Sequence, residues 1–142
     1  MKKTKRQTDQ QKNSITEVQE MLQILTPEAQ LNTNKILSTI NFLVLGENVA
    51  GLYSNKDKEI MICTRVQNPE FIILHELGHY IHDTYFNFKK FNFNRDQHRT
   101  PYSYTNFKES FAEMFEKYII AKSIDQKITG SLLQMENIIK SI

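Results

Sequence analysis

The chain has 142 residues, of which 39% are hydrophobic and 11% aromatic, and this is the size and composition of one folded domain. Residues 1–13 hold five basic residues and one acidic residue, so the formal net charge of +2 comes from the N-terminus and the rest is slightly acidic. This distribution of charge argues against nucleic-acid binding. Because the chain has a single cysteine, it cannot form an internal disulfide. No apolar run is as long as a membrane-spanning helix.

Residues 1–13 are polar and without periodicity, and we expect a disordered basic tail followed by one domain over residues 14–142. No apolar segment of the kind found in a secretory signal follows the basic N-terminus. The chain as written is therefore expected in the cytoplasm, or outside the cell if its N-terminus was processed or replaced. Residues 14–17 have the form of a capping box, which predicts a first helix beginning at Ser14. Thr26 and Pro27 predict the start of a second helix that ends near Leu37.

Three short apolar segments predict strands at residues 40–45, 49–53 and 59–64, with a hairpin turn between the last two. Gly51 in the second strand would allow another chain to approach closely. If this strand lies at a sheet edge, an extended peptide can pair with it, and Gly51, Leu52 and Tyr53 are the expected contacts. The alternative is that Gly51 forms a bulge or serves packing.

The central motif is His-Glu-Leu-Gly-His over residues 75–79, within a longer apolar segment. Asn68 and the proline after it predict a helix that begins there and ends between residues 83 and 85. Residues four apart on a helix project from the same side, so His75 and His79 can direct two imidazole rings at one metal ion. Glu76 would face a metal-bound water, and this is the arrangement of a zinc-dependent peptidase.

A catalytic zinc needs three protein ligands and one open coordination position. His82 lies two turns after the first histidine, and we expect it to be packed rather than a ligand. After a loop over residues 86–101, residues 105–121 predict a helix on which Glu109 and Glu113 share one face. A last amphipathic helix is expected after Thr129.

Glu109 is the predicted third ligand. Glu113 is predicted to accept a hydrogen bond from the outer N–H of a ligating histidine, with His75 as the expected partner. The alternative for both carboxylates is a solvated charged face that also includes Glu116 and Lys117.

Residues 102–115, Tyr-Ser-Tyr-Thr-Asn-Phe-Lys-Glu-Ser-Phe-Ala-Glu-Met-Phe, resemble a segment of the anthrax lethal factor catalytic domain and the secreted Pro-Pro endopeptidases. Weaker matches extend the resemblance over about residues 22–120. It implies an α+β fold: a single zincin-like domain with a small mixed sheet packed on the helix of the motif and a downstream helix carrying the glutamate ligand. It also implies zinc bound by His75, His79 and Glu109, with Glu76 as general base and Tyr102 as the donor to the oxyanion. Tyr104 is the rival for that last role.

The resemblance implies a zinc endopeptidase that uses one Zn²⁺ per chain and binds a protein or peptide substrate in extended form. We expect it to act as a monomer, without nucleic acid or membrane partners. The chain has no tryptophan, and the segment before Glu109 is shorter than in these relatives. A preference for Pro-Pro bonds is therefore not part of the expectation.

Two other functions fit the motif. Residues 74–82 also resemble the ImmA/IrrE type of intracellular peptidase, which cleaves repressor proteins. The second alternative is a catalytically inactive zincin-fold module that binds proteins. Glu76 argues against it, since a structural metal site would not need that carboxylate.

Overall fold

A computed structural model describes residues 7–142. Within that range the chain forms five α-helices and one three-stranded mixed sheet, so the expected α+β class is confirmed. The helices are α1 (Asp9–Met21), α2 (Pro27–Leu37), α3 (Glu70–Phe86), α4 (Phe107–Ser123) and α5 (Gly130–Lys140). The strands are β1 (Asn41–Leu43), β2 (Gly51–Ser54) and β3 (Glu59–Cys63), and short 3₁₀ helices cover Leu22–Ile24 and Pro101–Tyr104. None of the helices in residues 7–142 has the length and hydrophobicity that crossing a bilayer requires.

The first helix begins earlier than predicted. Thr8 caps it, because its hydroxyl accepts from the Gln11 N–H at 3.1 Å while the Gln11 side chain accepts from the Thr8 N–H at 2.9 Å. The start at Ser14 is therefore wrong, and residues 9–13 belong to α1 rather than to a disordered tail. Ser14 is instead buried and donates to Glu70 at 3.2 Å. Residues 1–6 of the predicted tail lie outside the described residues.

Local capping signals fix the other helix starts. Thr26 caps α2, whose predicted span is confirmed. Asn68 does not cap α3; Pro69 occupies that position and forms no side-chain cap. The Asn106 side chain accepts from the Glu109 N–H at 2.9 Å, so α4 begins at residue 107, two residues later than predicted, and Glu109 lies in its first turn.

The sheet has the strand order β1–β3–β2, with β1 parallel and β2 antiparallel to β3. The predicted hairpin is confirmed, since Gly51 pairs with Ile62 and Ser54 with Glu59. Among the described residues, β2 is an outer strand of the sheet, with its second edge unpaired. The sheet lies against α3, which places β2 beside the helix of the motif.

Helices α3 and α4 pack tightly against each other at Gly78 and Ala112. A Cβ atom at Gly78 would lie only 2.8 Å from the Ala112 Cα atom. Fully buried side chains fill the interface and the layers beside it: Ile73, Leu74, Leu77 and Ile81 from α3, and Phe111, Met114 and Phe115 from α4. This close crossing places the first turn of α4 directly opposite the histidines of α3.

Candidate metal centre

Three predicted ligands meet at the α3–α4 interface. Nε2 of His75 lies 2.9 Å from Oε2 of Glu109, and Nε2 of His79 lies 3.0 Å from Oε1 of the same carboxylate. One donor atom from each residue falls within 4.8 Å of the other two. The two histidines lie one turn apart on α3, and the glutamate reaches them from the first turn of α4.

The donor set suits zinc. Two imidazole nitrogens and one carboxylate oxygen form the ligand set of several catalytic zinc sites, and about 3.3 Å separates neighbouring donors around a tetrahedral zinc with bonds near 2.0 Å. The 2.9 and 3.0 Å contacts join the two nitrogens to different oxygens of Glu109, and one donor atom from each residue lies within 4.8 Å of the other two, so the three side chains can converge on one ion. The three side chains are partly exposed, so a fourth coordination position would face the cleft.

The same three side chains are coupled electrostatically. Burial alone would raise the pKa of Glu109, but hydrogen bonds from His75 and His79 hold it well below its ordinary value. Burial alone would lower the pKa of His75, but hydrogen bonds to Glu109 and Glu116 raise it to about 10. The cluster therefore favours an ionised carboxylate.

Glu76 lies beside this cluster and is only 7% exposed. Burial raises the pKa of its carboxyl above the ordinary value, and the neighbouring imidazoles of His75 and His79 oppose that rise. It lines the same cleft as the three donors. A buried carboxylate with a raised pKa is well suited to accept a proton.

The carboxylate that contacts the outer nitrogen of His75 is Glu116, not Glu113. Oε1 of Glu116 lies 3.4 Å from Nδ1 of His75. Helical geometry explains the error, because a residue seven positions after Glu109 points within about 20° of it, whereas one four positions after it is rotated by about 40°. The prediction that Glu113 contacts His75 is therefore wrong.

Glu113 contacts the segment that precedes the 3₁₀ helix of Tyr102. Its carboxylate accepts from the N–H of Thr100 at 3.3 Å and from the hydroxyl of the same residue. Lys117, whose ammonium lies 3.8 Å from Glu113, also donates to the carbonyl of His98. These contacts fasten residues 98–100 to α4.

Tyr102 and Tyr104 lie in different cavities. The ring centroid of Tyr102 lies 6.4 Å from that of His75. Burial and a hydrogen bond to Glu109 raise the pKa of Tyr102 to about 12, so the phenol is protonated at neutral pH. Tyr104 lines a neighbouring cavity, where the guanidinium groups of Arg95 and Arg99 lie over its ring. The structure thus brings Tyr102, and not Tyr104, to the candidate metal centre.

The predicted substrate strand borders the same cleft. Gly51, Leu52 and Tyr53 all line it, and the side chain of Leu52 is 45% exposed. A Cβ atom at Gly51 would lie 2.7 Å from Ile72 Cγ2 and 3.2 Å from Glu76 Cγ. Gly51 therefore serves packing, as the alternative interpretation had it, and the space it leaves accommodates Glu76. Among the described residues, the outer edge of β2 remains unpaired.

Two other histidines lie outside the metal centre. His82 is fully buried and stacks on Phe111 with ring centroids 4.2 Å apart, while its Nε2 donates to the Lys89 carbonyl at 2.6 Å. Burial lowers its pKa below the ordinary value. His82 is thus packed, as predicted. His98 lies 3.3 Å from the Thr129 hydroxyl, towards α5.

The cleft has a volume of about 1070 Å³. Helix α3 contributes His75, Glu76 and His79 to it. Strand β2 lines one side, and Tyr102 and the first turns of α4 line the other. Comparison with models of protein families, with curated proteins and with solved structures found no match. Conclusions about function therefore depend on the residues that line this cleft.

Two contacts around the cleft are not predicted from the sequence. For Glu116 the sequence does offer a signal, because its seven-residue spacing from Glu109 places both residues on one side of α4. Asp83 accepts from the Tyr53 hydroxyl at 2.7 Å and also contacts Lys58, which joins the β2–β3 hairpin to α3. No local pattern in the sequence marks that contact, because 30 residues separate Tyr53 from Asp83.

Proposed function

We propose that the chain is a zinc-dependent endopeptidase of zincin-like type, which hydrolyses a peptide bond in an extended protein or peptide. One observation carries the proposal: the convergence of the His75, His79 and Glu109 donors beside buried Glu76 in an open cleft. The resemblance of residues 102–115 to the lethal factor and Pro-Pro endopeptidase family is consistent with it.

His75, His79 and Glu109 would hold one zinc ion per chain. When bound, zinc supplies a Lewis acid that polarises a carbonyl and lowers the pKa of water to about 7. Glu116, whose Oε1 lies 3.4 Å from the outer nitrogen of His75, would hold the proton on Nδ1 when Nε2 binds the metal, and such outer contacts typically affect metal affinity strongly.

Glu76 is the proposed general base. Its carboxylate would take a proton from the attacking water and then deliver it to the leaving amine when the carbon–nitrogen bond breaks. The raised pKa of Glu76 supports both steps, because a more basic carboxylate accepts a proton readily and its acid form remains able to donate it.

Tyr102 is the proposed donor to the oxyanion that forms on the attacked carbonyl. Its ring centroid lies 6.4 Å from that of His75, and burial and the neighbouring Glu109 raise the pKa of its hydroxyl, which retains its proton at neutral pH. A hydrogen-bond donor of this kind can contribute about 3 kcal/mol to stabilising the transition state.

The outer edge of β2 is the proposed substrate-binding strand. It borders the cleft beside Glu76, and an extended peptide could form backbone hydrogen bonds along Gly51–Ser54. The exposed side chain of Leu52 would then contact a substrate side chain, while the bond from Tyr53 to Asp83 keeps the strand in place.

The decisive experiment combines metal analysis with cleavage of a peptide library. We expect about one zinc per chain, cleavage by the native protein, and retention of zinc by Glu76→Gln with turnover reduced by about 10²–10⁴-fold. Glu20→Gln, on the exposed face of α1, makes the same chemical change away from the cleft and should behave like the native protein. A native protein that binds no zinc, or a Glu76→Gln variant with unchanged turnover, would contradict the proposal.

A further inference from the structure

A second cavity, of about 430 Å³, lies next to the cleft and shares Asn106 and Phe107 with it. The other residues around it are three cations, three aromatic residues, one amide and two serines: Lys90, Arg95, Arg99, Phe91, Phe93, Tyr104, Asn92, Ser103 and Ser110. We call this cavity the basic pocket. Within the part of the chain that the structure describes, no carboxylate lines it, whereas four glutamates line the cleft around the metal centre.

Arg99 forms the wall of the basic pocket and is held by neutral acceptors. Its guanidinium donates to the Phe93 carbonyl at 2.9 Å, to the Ser103 hydroxyl at 2.8 Å and to the Ser110 hydroxyl at 3.0 Å. These bonds fix its orientation without neutralising its charge. Among residues 7–142, no carboxylate forms an ion pair with Arg99, Arg95 or Lys90.

The ring of Tyr104 contacts both arginines of the basic pocket. The guanidinium carbon of Arg99 lies 4.2 Å from the Tyr104 ring centroid, and that of Arg95 lies 4.9 Å from it. Cation–π contacts of this kind hold guanidinium groups in place. On Arg99, Nε, Nη1 and Nη2 already donate to neutral acceptors, so this residue supplies mainly a fixed positive charge. Arg95 is exposed and can turn its donors towards a ligand.

The acidic residue nearest in sequence is directed elsewhere. Asp96 accepts from the Ser131 N–H at 2.7 Å, from the Ser131 hydroxyl at 2.9 Å and from the His98 N–H at 3.0 Å. Its charge therefore stabilises the start of α5 and does not compensate the arginines. Within residues 7–142, the basic pocket therefore carries positive charge that no carboxylate compensates, whereas four glutamates line the neighbouring cleft.

We infer that the basic pocket binds the side-chain carboxylate of an aspartate or glutamate in the peptide substrate. The inference rests on the proposed endopeptidase function and adds a substrate class to it. A peptide lying in the cleft can pass over the shared wall of Asn106 and Phe107 and place an acidic side chain against the guanidinium of Arg95, near the fixed charge of Arg99. The protein then prefers sequences with an acidic residue on one side of the scissile bond.

The test uses matched pairs of peptides built on one cleaved sequence. Glutamate and glutamine are exchanged at each position in turn, and the ratio of kcat/KM for the pair is measured. The native protein should prefer glutamate about fivefold at one position, as expected for partly exposed charge pairs. Arg95→Gln should reduce that ratio to below about twofold. Lys127→Gln removes an exposed positive charge outside both cavities and should leave the ratio unchanged.

Failure of the subsite and failure of the proposed function are separable. Equal cleavage of both peptides at every position, or a preference that survives the Arg95→Gln, Lys90→Gln double variant, overturns the subsite while leaving the peptidase intact. If the native protein cleaves no peptide, the proposed function fails, and binding of the same peptide pairs is measured by fluorescence anisotropy instead. Tighter binding of a glutamate peptide that depends on Arg95 then supports the pocket, and equal binding overturns it.

Discussion

The buried carboxylate of Glu113 accepts two hydrogen bonds from Thr100, one from its backbone N–H and one from its hydroxyl. Thr100 is the residue immediately before the 3₁₀ helix that carries Tyr102. Glu113 lies one turn after Glu109 on α4. The same helix therefore provides a ligand of the candidate metal centre and positions the segment of the proposed oxyanion donor.

Replacing Glu113 should lower turnover without weakening zinc binding. Glu113→Ala removes both acceptors of Thr100, and a displacement of Tyr102 by about 1 Å is enough to reduce kcat by roughly tenfold to a hundredfold. Glu113→Gln keeps one acceptor oxygen for the Thr100 hydroxyl and should show an intermediate kcat. The measurements are kcat and zinc affinity for both variants. A loss of zinc affinity would show instead that Glu113 acts through the metal ligands.

Replacing Glu116 should weaken zinc binding, unlike the replacement of Glu113. Glu116→Gln removes the negative charge near Nδ1 of His75, and we expect zinc affinity to fall by about tenfold to a hundredfold. Titration with a competing chelator measures this change. Glu17→Gln, on the exposed side of α1, is a control for the loss of one carboxylate. If Glu116→Gln binds zinc with native affinity, Glu116 does not support zinc binding through His75.

Removing the hydroxyl of Tyr102 should lower kcat, whereas removing that of Tyr104 should not. Tyr102→Phe removes the hydroxyl at the metal centre, and kcat should fall by about a hundredfold while zinc content stays at one per chain. Tyr104→Phe retains an aromatic ring beneath Arg95 and Arg99 and should keep native kcat on a neutral peptide. If kcat falls in Tyr104→Phe and stays native in Tyr102→Phe, the oxyanion donor is Tyr104.

Gly78→Ala should destabilise the fold. The added methyl group would lie 2.8 Å from the Ala112 Cα atom, so the α3 and α4 backbones must separate. Overpacking of this kind costs about 1–3 kcal/mol and exceeds the gain of about 1 kcal/mol in helix propensity. Urea denaturation should show a net loss of stability, and zinc affinity should fall because the ligands move apart. Gly46→Ala is the matched control, since its methyl group would meet Val49 at an ordinary 3.7 Å.

Acid should weaken the attachment of α5. Burial alone would raise the pKa of Asp96, but hydrogen bonds from Ser131 and His98 hold it below its ordinary value of 3.8. A carboxyl with a lowered pKa in the folded state contributes stability above its unfolded pKa, and this contribution is lost as the pH falls through the folded pKa. Asp96→Asn should therefore cost about 1 kcal/mol at pH 7 and less at pH 2. Urea midpoints at the two pH values measure the difference, and an equal cost at both would contradict the role of the charge.

Local signals in the sequence predicted most elements correctly. The threonine and proline at residues 26–27 define the start of α2, and the four-residue spacing of His75 and His79 needs only a helix to bring them together. The start of α1 was misplaced because two capping boxes compete, and the one at Thr8 uses glutamine instead of glutamate.

The errors at the site have a different physical cause. Whether Glu113 or Glu116 contacts His75 depends on the rotation of α4 against α3, which is set by the close approach of Gly78 and Ala112. The partner of Glu113 belongs to a loop 13 residues earlier in the chain. Helical spacing brings Glu116 closest to the direction of Glu109, but only the three-dimensional packing of separate segments decides which partner Glu116 and Glu113 each contact.

The outer edge of β2 has a consequence for solubility. A strand that leaves its backbone groups free for a peptide also leaves them free for another copy of the chain, which is a route to aggregation. Here the strand is only four residues long, and Lys56 and Lys58 follow it in the hairpin turn. Short length and nearby positive charge are two ways in which proteins limit self-association at such edges. Substitutions that lengthen β2 or remove these lysines are therefore expected to promote aggregation before they alter the metal centre.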